Sequence, residues 1–305
     1  CVHGLHCASF HLSLQGFLYY PVSGIGAAMK IGFHVSIAKG FDDTLKGAKA
    51  LGCEVAQVFV KNPRSWEQRV LSDADLAAFG RLSAELPVFA HLSYLPNLAK
   101  IDGDERNLKG LLHEAALCEK LGIGSLVVHP GSRPDRLSGA RMTAEAIDRV
   151  HDRHDVTVLI ENTAGQGNVI GRDVEELARM YEGVSNKEKT LFCIDTAHLF
   201  ESGWDIRKKG VWKGFLDEFE RTLGLDRIGL FHLNDSKAAA GSHADRHWHI
   251  GQGEIGLTFF RMLVRDKRFA HLGGVMETPK MGNMDEVNME VMRSLLPPLV
   301  PRSSS

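Results

Sequence analysis

The chain has no cysteine pair at CxxC spacing, no apolar run long enough to cross a bilayer, no GxGxxG turn after its first apolar run and almost no net charge. Each absence removes a class of protein. Five cysteines in 305 residues, an odd number without a pairing pattern, do not make a disulfide framework. They point to a reducing compartment, the cytoplasm with its nucleoid, with an organelle left open. A membrane span needs about 20 consecutive apolar residues, so no membrane partner is expected. A formal charge of -2 provides no global basic field for a polyanion. If nucleic acid is the substrate, a local patch and metal ions must hold it. Without GxGxxG after the first apolar run, an open dinucleotide-binding sheet is the less supported arrangement. No low-complexity linker divides the chain into two domains.

Residues 1–28 differ from the rest. They carry no Lys or Arg and mix His3, His6 and His11 with a short apolar patch, Phe17-Leu18-Tyr19-Tyr20. A signal peptide would want a basic start and a continuous apolar core. The segment reads as a leader outside the fold, with Met29 as the natural start, and residues 299–305 read as a frayed tail. Between them, 29–298 form one domain.

From Lys30 onward, short β-branched apolar runs alternate with amphipathic stretches. The strands expected are Ile31–Ser36, Val55–Val60, Val88–Leu92 and Leu126–His129, then Val156–Glu161, Leu191–Asp195, Ile228–Leu233 and Val275–Glu277. Helices are expected at Asp73–Leu86 and Asn107–Leu121, and glycines follow Leu51 and Leu121 where a helix would end. Eight strand–helix units in about 270 residues predict a closed (β/α)8 barrel with both faces of its sheet covered.

The apolar runs share an ending. His91, His129, Glu161, Asp195, His232 and Glu277 each close or follow a strand, and His198 comes three residues after Asp195. In a parallel barrel all strand C-termini face one rim, where these groups would converge. Asp245-Arg246-His247 lies in a loop after the seventh strand, and residues two apart in an extended segment point to one side. A strand-ending Asp such as Asp195 is also a common helix cap, so the set, rather than any one residue, carries the metal reading. Imidazoles without thiolates suit zinc, manganese or iron better than magnesium or calcium. About nine donors are too many for one ion. Two ions a few ångströms apart can hold a hydroxide and clamp an in-line displacement at phosphorus.

The motifs His-x-Ser-Tyr-Leu-x-Asn-Leu at His91, His-Pro-Gly-Ser at His129 and Glu-Asn-Thr-Ala-Gly-Gln-Gly at Glu161 resemble those of the metal-dependent apurinic/apyrimidinic endonucleases of the endonuclease IV type. So do Ile-Asp-Thr-x-His at Asp195, His-Leu-Asn-Asp-Ser-Lys at His232 and Asp-Arg-His at Asp245. The likeness runs from about Lys30 to Leu295. It implies a TIM barrel with three zinc ions, manganese or iron being open at some sites. One ion would take His91, His129 and Glu161; a second Glu161, Asp195, His232 and Glu277; a third His198, Asp245 and His247. The reaction implied is hydrolysis of the phosphodiester 5′ to an abasic site in double-stranded DNA, leaving a 3′-hydroxyl and a 5′-deoxyribose phosphate. Removal of 3′-end-blocking groups goes with it. Glu161 and Glu277 would be the catalytic carboxylates, Glu277 orienting or deprotonating the attacking water. DNA would be met by Lys61, Asn62, Arg64 and Trp66 after the second strand and by Tyr94. Arg64 and Tyr94 would fill the gap left by the missing base, while Lys61, Lys237 and Arg246 would contact phosphates. Pro63 departs from the polar residue the family favours there. His34 would support the cluster from behind, and a monomer is the simpler expectation.

The rival reading is a sugar isomerase or epimerase on the same barrel. Such enzymes need one or two ions in a carboxylate-rich shell, which leaves Asp195-x-x-His198 and Asp245-x-His247 unexplained. A structural zinc site would be closed and four-coordinate.

Overall fold

The computed structural model describes residues 28–298. All of the expected leader except Ala28, and all of the expected tail, lie outside the described residues. The strands are β1 (Lys30–His34), β2 (Val55–Phe59), β3 (Val88–His91), β4 (Ser125–Val128), β5 (Thr157–Glu161), β6 (Thr190–Asp195), β7 (Ile228–His232), the short pair β8 (Asp235–Ser236) and β9 (His247–Trp248), and β10 (Gly273–Met276). The α-helices are α1 (Phe41–Leu51), α2 (Asp73–Glu85), α3 (Glu105–Leu121), α4 (Arg136–His151), α5 (Val174–Gly183), α6 (Thr196–Glu201), α7 (Lys209–Thr222), α8 (Leu257–Val264) and α9 (Met284–Leu295).

Eight parallel strands close into a barrel in the order β1, β10, β7, β6, β5, β4, β3, β2. Each lies within two residues of its expected bounds. α3 begins at Glu105 rather than Asn107, because the Asp104 carboxylate caps the chain by accepting Arg106 N–H at 2.9 Å. Gly52 and Gly122 end α1 and α3 in the left-handed conformation (φ 69° and 73°), where a Cβ would be strained. The β8–β9 ladder was not foreseen. It pairs Ser236 with His247 and folds the segment after β7 back onto the rim.

The interior explains why the polar groups meet. Val55, Val127, Leu159, Cys193, Leu230 and Val275 form one buried plug, with Phe89 packed against it. Side chains two positions further along a strand point the same way. Those positions are Gln57, His129, Glu161, Asp195, His232 and Glu277, and His91 stands two beyond Phe89. Every strand of this group thus places an apolar residue in the plug and a polar one directly above it. A separate, larger apolar cluster fills the space between strands and helices, with Phe33, Phe192, Phe231 and Phe260 fully buried.

Candidate metal centre

Glu161 is the hub. It is completely buried, with Oε2 3.0 Å from His91 Nε2 and 3.1 Å from His129 Nε2. Its Oε1 lies 2.9 Å from His232 Nδ1 and 3.4 Å from His198 Nδ1. His232 Nδ1 is also 3.2 Å from Glu277 Oε2 and 3.8 Å from Asp195 Oδ2. Asp195 caps α6: Oδ1 accepts His198 N–H at 2.8 Å, which leaves Oδ2 facing His247 Nε2 at 3.4 Å. The capping and donor readings of Asp195 therefore hold together, one oxygen for each. His198 Nε2 stands 3.4 Å from both Asp245 Oδ1 and His247 Nε2.

Three donor sets emerge, within each of which one donor atom per residue lies within 4.8 Å of the others: His91, His129, Glu161; Glu161, Asp195, His232, Glu277; and Asp195, His198, His247. Asp245, expected in the third set, borders it at 3.4 Å from His198 and 3.7 Å from His247.

Donor chemistry fits metal. An imidazole binds through a lone pair, so its other nitrogen should be occupied as a donor. His91 Nδ1 faces Leu92 O at 2.7 Å, His198 Nδ1 faces Asn162 O at 2.9 Å and His232 Nε2 faces Gln57 Oε1 at 2.9 Å. Each bond fixes the tautomer that turns a lone pair inward. The closest donor separations, 2.9 to 3.4 Å, match the edge of roughly 3.3 Å that follows from tetrahedral zinc bonds of about 2.0–2.1 Å.

Charge makes the same demand. Burial works to raise the Glu161 carboxyl, but the imidazoles of His232, His129 and His198 hold it well below the usual range. Glu277 is likewise held low against burial, by His232 and His34. Burial opposes a charge on His198, yet Asp195, Asp245 and Glu161 raise it well above an ordinary histidine. For His232 the raising groups are Cys193, Glu277 and Glu161, again against burial. So many carboxylates under one rim require positive charge between them, from protons or from cations.

Residues missed from the sequence hold this arrangement. Gln57, fully buried, donates to Glu277 Oε1 at 2.7 Å while accepting from His232. Asn234 donates to Asp195 Oδ2 at 2.6 Å and accepts Glu277 N–H at 2.7 Å. Asn162 accepts Asp195 N–H at 2.7 Å. A lone polar residue inside the apolar run Val55-Ala56-Gln57-Val58-Phe59 was the available signal for Gln57. His34 does stand behind the cluster, its Nδ1 2.9 Å from Glu277 Oε1. The motif glycine Gly131 (φ 101°) is needed for close approach: a Cβ there would sit 2.3 Å from Asn97 Oδ1, which accepts Ser132 N–H. Glu201, a carboxyl pushed up to about 7 mainly by burial, accepts from Ser236 Oγ at 2.6 Å and from Arg246 N–H at 3.1 Å, tying α6 to the Asp245–His247 segment. Replacing Gln57 with leucine is expected to lower metal affinity or turnover by roughly 10- to 100-fold, read by metal titration and steady-state rates; parent-like values would show that Gln57 only fills space.

A cleft of about 1550 Å³ opens over the cluster, walled by the loops after β1, β2 and β3 and by the segment after β10. Small-molecule pockets usually run from about 300 to 1,000 Å³, so this one suits a larger substrate. Asn62, Arg64 and Tyr94 line it. Tyr94 is 64% exposed, and the exposed Arg64 pairs with no carboxylate among the described residues. Lys61 lines the cleft but is buried, its Nζ donating to the carbonyls of Asn62 and Ser65. Trp66, Lys237 and Arg246 are not in the cleft wall. Arg106 stacks on Trp66, with 5.2 Å from Cζ to the ring centre, and Lys237 Nζ lies 4.2 Å over the Trp248 ring. Arg246 donates to Asp245 O at 2.6 Å.

A barrel with its donors on the C-terminal rim defines the class, and the model of the xylose isomerase-like TIM barrels matches residues 45–296. A protein of Geotalea daltonii named "Probable endonuclease 4" is 37% identical over 278 residues, 87% of this chain and 98% of the relative. A protein of the same name from Chloroflexus aggregans is 38% identical over 279 residues, covering 88% and 98%. The crystal structure of endonuclease IV from Thermus thermophilus superposes with a TM-score of 0.78 at 36% identity, covering 87% of this chain and 98% of that one. The chain belongs to the endonuclease IV family of these barrels. A D-tagatose 3-epimerase-like protein, at 15% identity and a TM-score of 0.66, shares the fold alone.

Proposed function

We propose that this protein is a DNA-repair hydrolase, an AP endonuclease that cuts the phosphodiester 5′ to an abasic site in duplex DNA and leaves a 3′-hydroxyl and a 5′-deoxyribose phosphate. The observation that carries the reading is the sharing of Glu161 by two adjacent donor sets beneath a cleft that is open to solvent. A structural site would be closed. His91, His129 and Glu161 would hold one zinc ion; Glu161, Asp195, His232 and Glu277 a second; His198, His247 and Asp245 a third, with Asp195 between the last two. When bound, the ions supply Lewis acidity toward the phosphate and lower the pKa of the attacking water. Glu277 stays ionised at neutral pH, and His34 and Gln57 hold its Oε1. It therefore orients water by accepting its hydrogen bond.

Arg64 and Tyr94 stand on the cleft wall, where a cation and an aromatic ring can occupy the space of a missing base while the abasic nucleotide is drawn toward the rim. Asn62 lies beside them; Lys237 and Arg246 would meet phosphates further along the duplex, and Lys61 and Trp66 act by shaping their loop. A single chain suffices for this site. The deciding assay incubates the protein with a duplex bearing one tetrahydrofuran abasic analogue, with and without chelator, alongside metal analysis. Chelator-sensitive incision 5′ to the lesion with near three ions per chain is the expected result; intact DNA under metal-replete conditions would sink the proposal. Tyr94→Ala is expected to raise KM about tenfold, the loss of one base-stacking contact, measured against the parent on the same duplex.

A further inference from the structure

A second set of buried charges lies behind the rim and takes no part in the metal centre. Glu114, midway along α3, is fully buried. Both of its oxygens serve one residue: Oε2 accepts Ser93 N–H at 2.9 Å, and Oε1 accepts the Ser93 hydroxyl. Lys61, 5% exposed, does the same for the neighbouring loop through the carbonyls of Asn62 and Ser65. The two charges lie near enough to act on one another, and burial keeps the Glu114 carboxyl above the ordinary range despite Ser93 and Lys61. Between these anchors the loops are joined directly, since Tyr94 N–H donates to Pro63 O at 3.1 Å. Above them stand the exposed side chains of Tyr94 and Arg64, Tyr94 resting edge-on against Phe59 with ring centres 5.1 Å apart.

A buried carboxylate is costly unless hydrogen bonds and a counter-charge compensate it. Here both hydrogen bonds and the nearby lysine come from the two loops that face the substrate, with His91 adding a smaller share. We infer that Glu114 is a positioning residue for DNA binding: by clamping Ser93, and through the Tyr94–Pro63 bond the loop carrying Arg64, it presents both side chains already ordered. This rests on the reading that the cleft binds abasic DNA. Preordered loops lower the entropic cost of binding without changing the chemical step.

The test measures kcat and KM separately for the zinc-loaded protein on the tetrahydrofuran duplex. Glu114→Gln keeps the shape but removes the charge: one acceptor facing Ser93 becomes an amide donor, the Ser93 hydroxyl must turn to accept from it, and the clamp is left with two neutral hydrogen bonds in place of two made to a carboxylate. It is expected to raise KM about fivefold to tenfold while kcat and metal content stay within twofold of the parent. In a Tyr94→Ala background the same change should have a smaller effect than in the parent, because one of the two side chains it positions is gone and only Arg64 remains. An unchanged KM, a fully additive double variant, or a fall in kcat together with lost metal would each overturn the inference. If Glu114→Gln does not fold, Ser93→Ala reads the same link from its other end, with the same expected direction. A parent protein that leaves the abasic duplex intact overturns the functional reading and this inference with it, whereas a cutting parent with an indifferent Glu114→Gln overturns only the inference.

Discussion

Glu161→Gln is expected to reduce turnover on an abasic duplex by roughly a thousandfold or more. Both oxygens of Glu161 sit between imidazoles, Oε2 between His91 and His129 and Oε1 beside His232 and His198. The amide removes one negative charge and turns an N–H donor toward lone pairs that point inward. If the cations shared through this carboxylate are worth several kcal/mol to the transition state, each 1.36 kcal/mol lost costs a factor of ten. The measurement is a steady-state rate at saturating zinc, paired with a metal count that should fall below that of the parent. Substantial activity in a metal-replete variant would remove Glu161 from the centre of the scheme.

Stripping the metal should abolish incision, and restoring zinc to the stripped protein near pH 7 should release roughly two to three protons per chain. His198 and His232 lie well above the ordinary histidine range and His129 is raised as well. Without metal His198 and His232 hold protons at neutrality, which a cation must displace to reach the lone pairs, and His129 is shifted in the same direction. Calorimetric titration in buffers of different ionisation enthalpy reads this as a buffer-dependent heat; identical heats would contradict it. The sign for stability follows. A histidine whose folded pKa exceeds its unfolded value of about 6.5 stabilises fully below that value, and the contribution is lost as pH rises through the folded pKa. The chelated protein should therefore melt at progressively lower temperature from about pH 6.5 upward. The zinc-loaded protein should not follow it, because deprotonation favours ligation.

Much of this centre is written along the chain in one dimension. Apolar runs ending in His91, His129, Glu161, Asp195, His232 and Glu277 declare both the barrel and its rim, because a strand's side chains alternate with period two and parallel strands end on one side. Asp195 and His198 even carry their own local geometry, since the carboxylate that caps α6 fixes where His198 begins its turn. Closure of the ring determined the rest: that four imidazoles share Glu161, that Gln57 joins His232 to Glu277 across 175 and 220 positions of sequence, and that Lys61 turns inward on its own loop instead of outward. A polar residue in an apolar strand announces that it has a buried partner. Which partner depends on strand order and register, long-range quantities that no local spacing encodes.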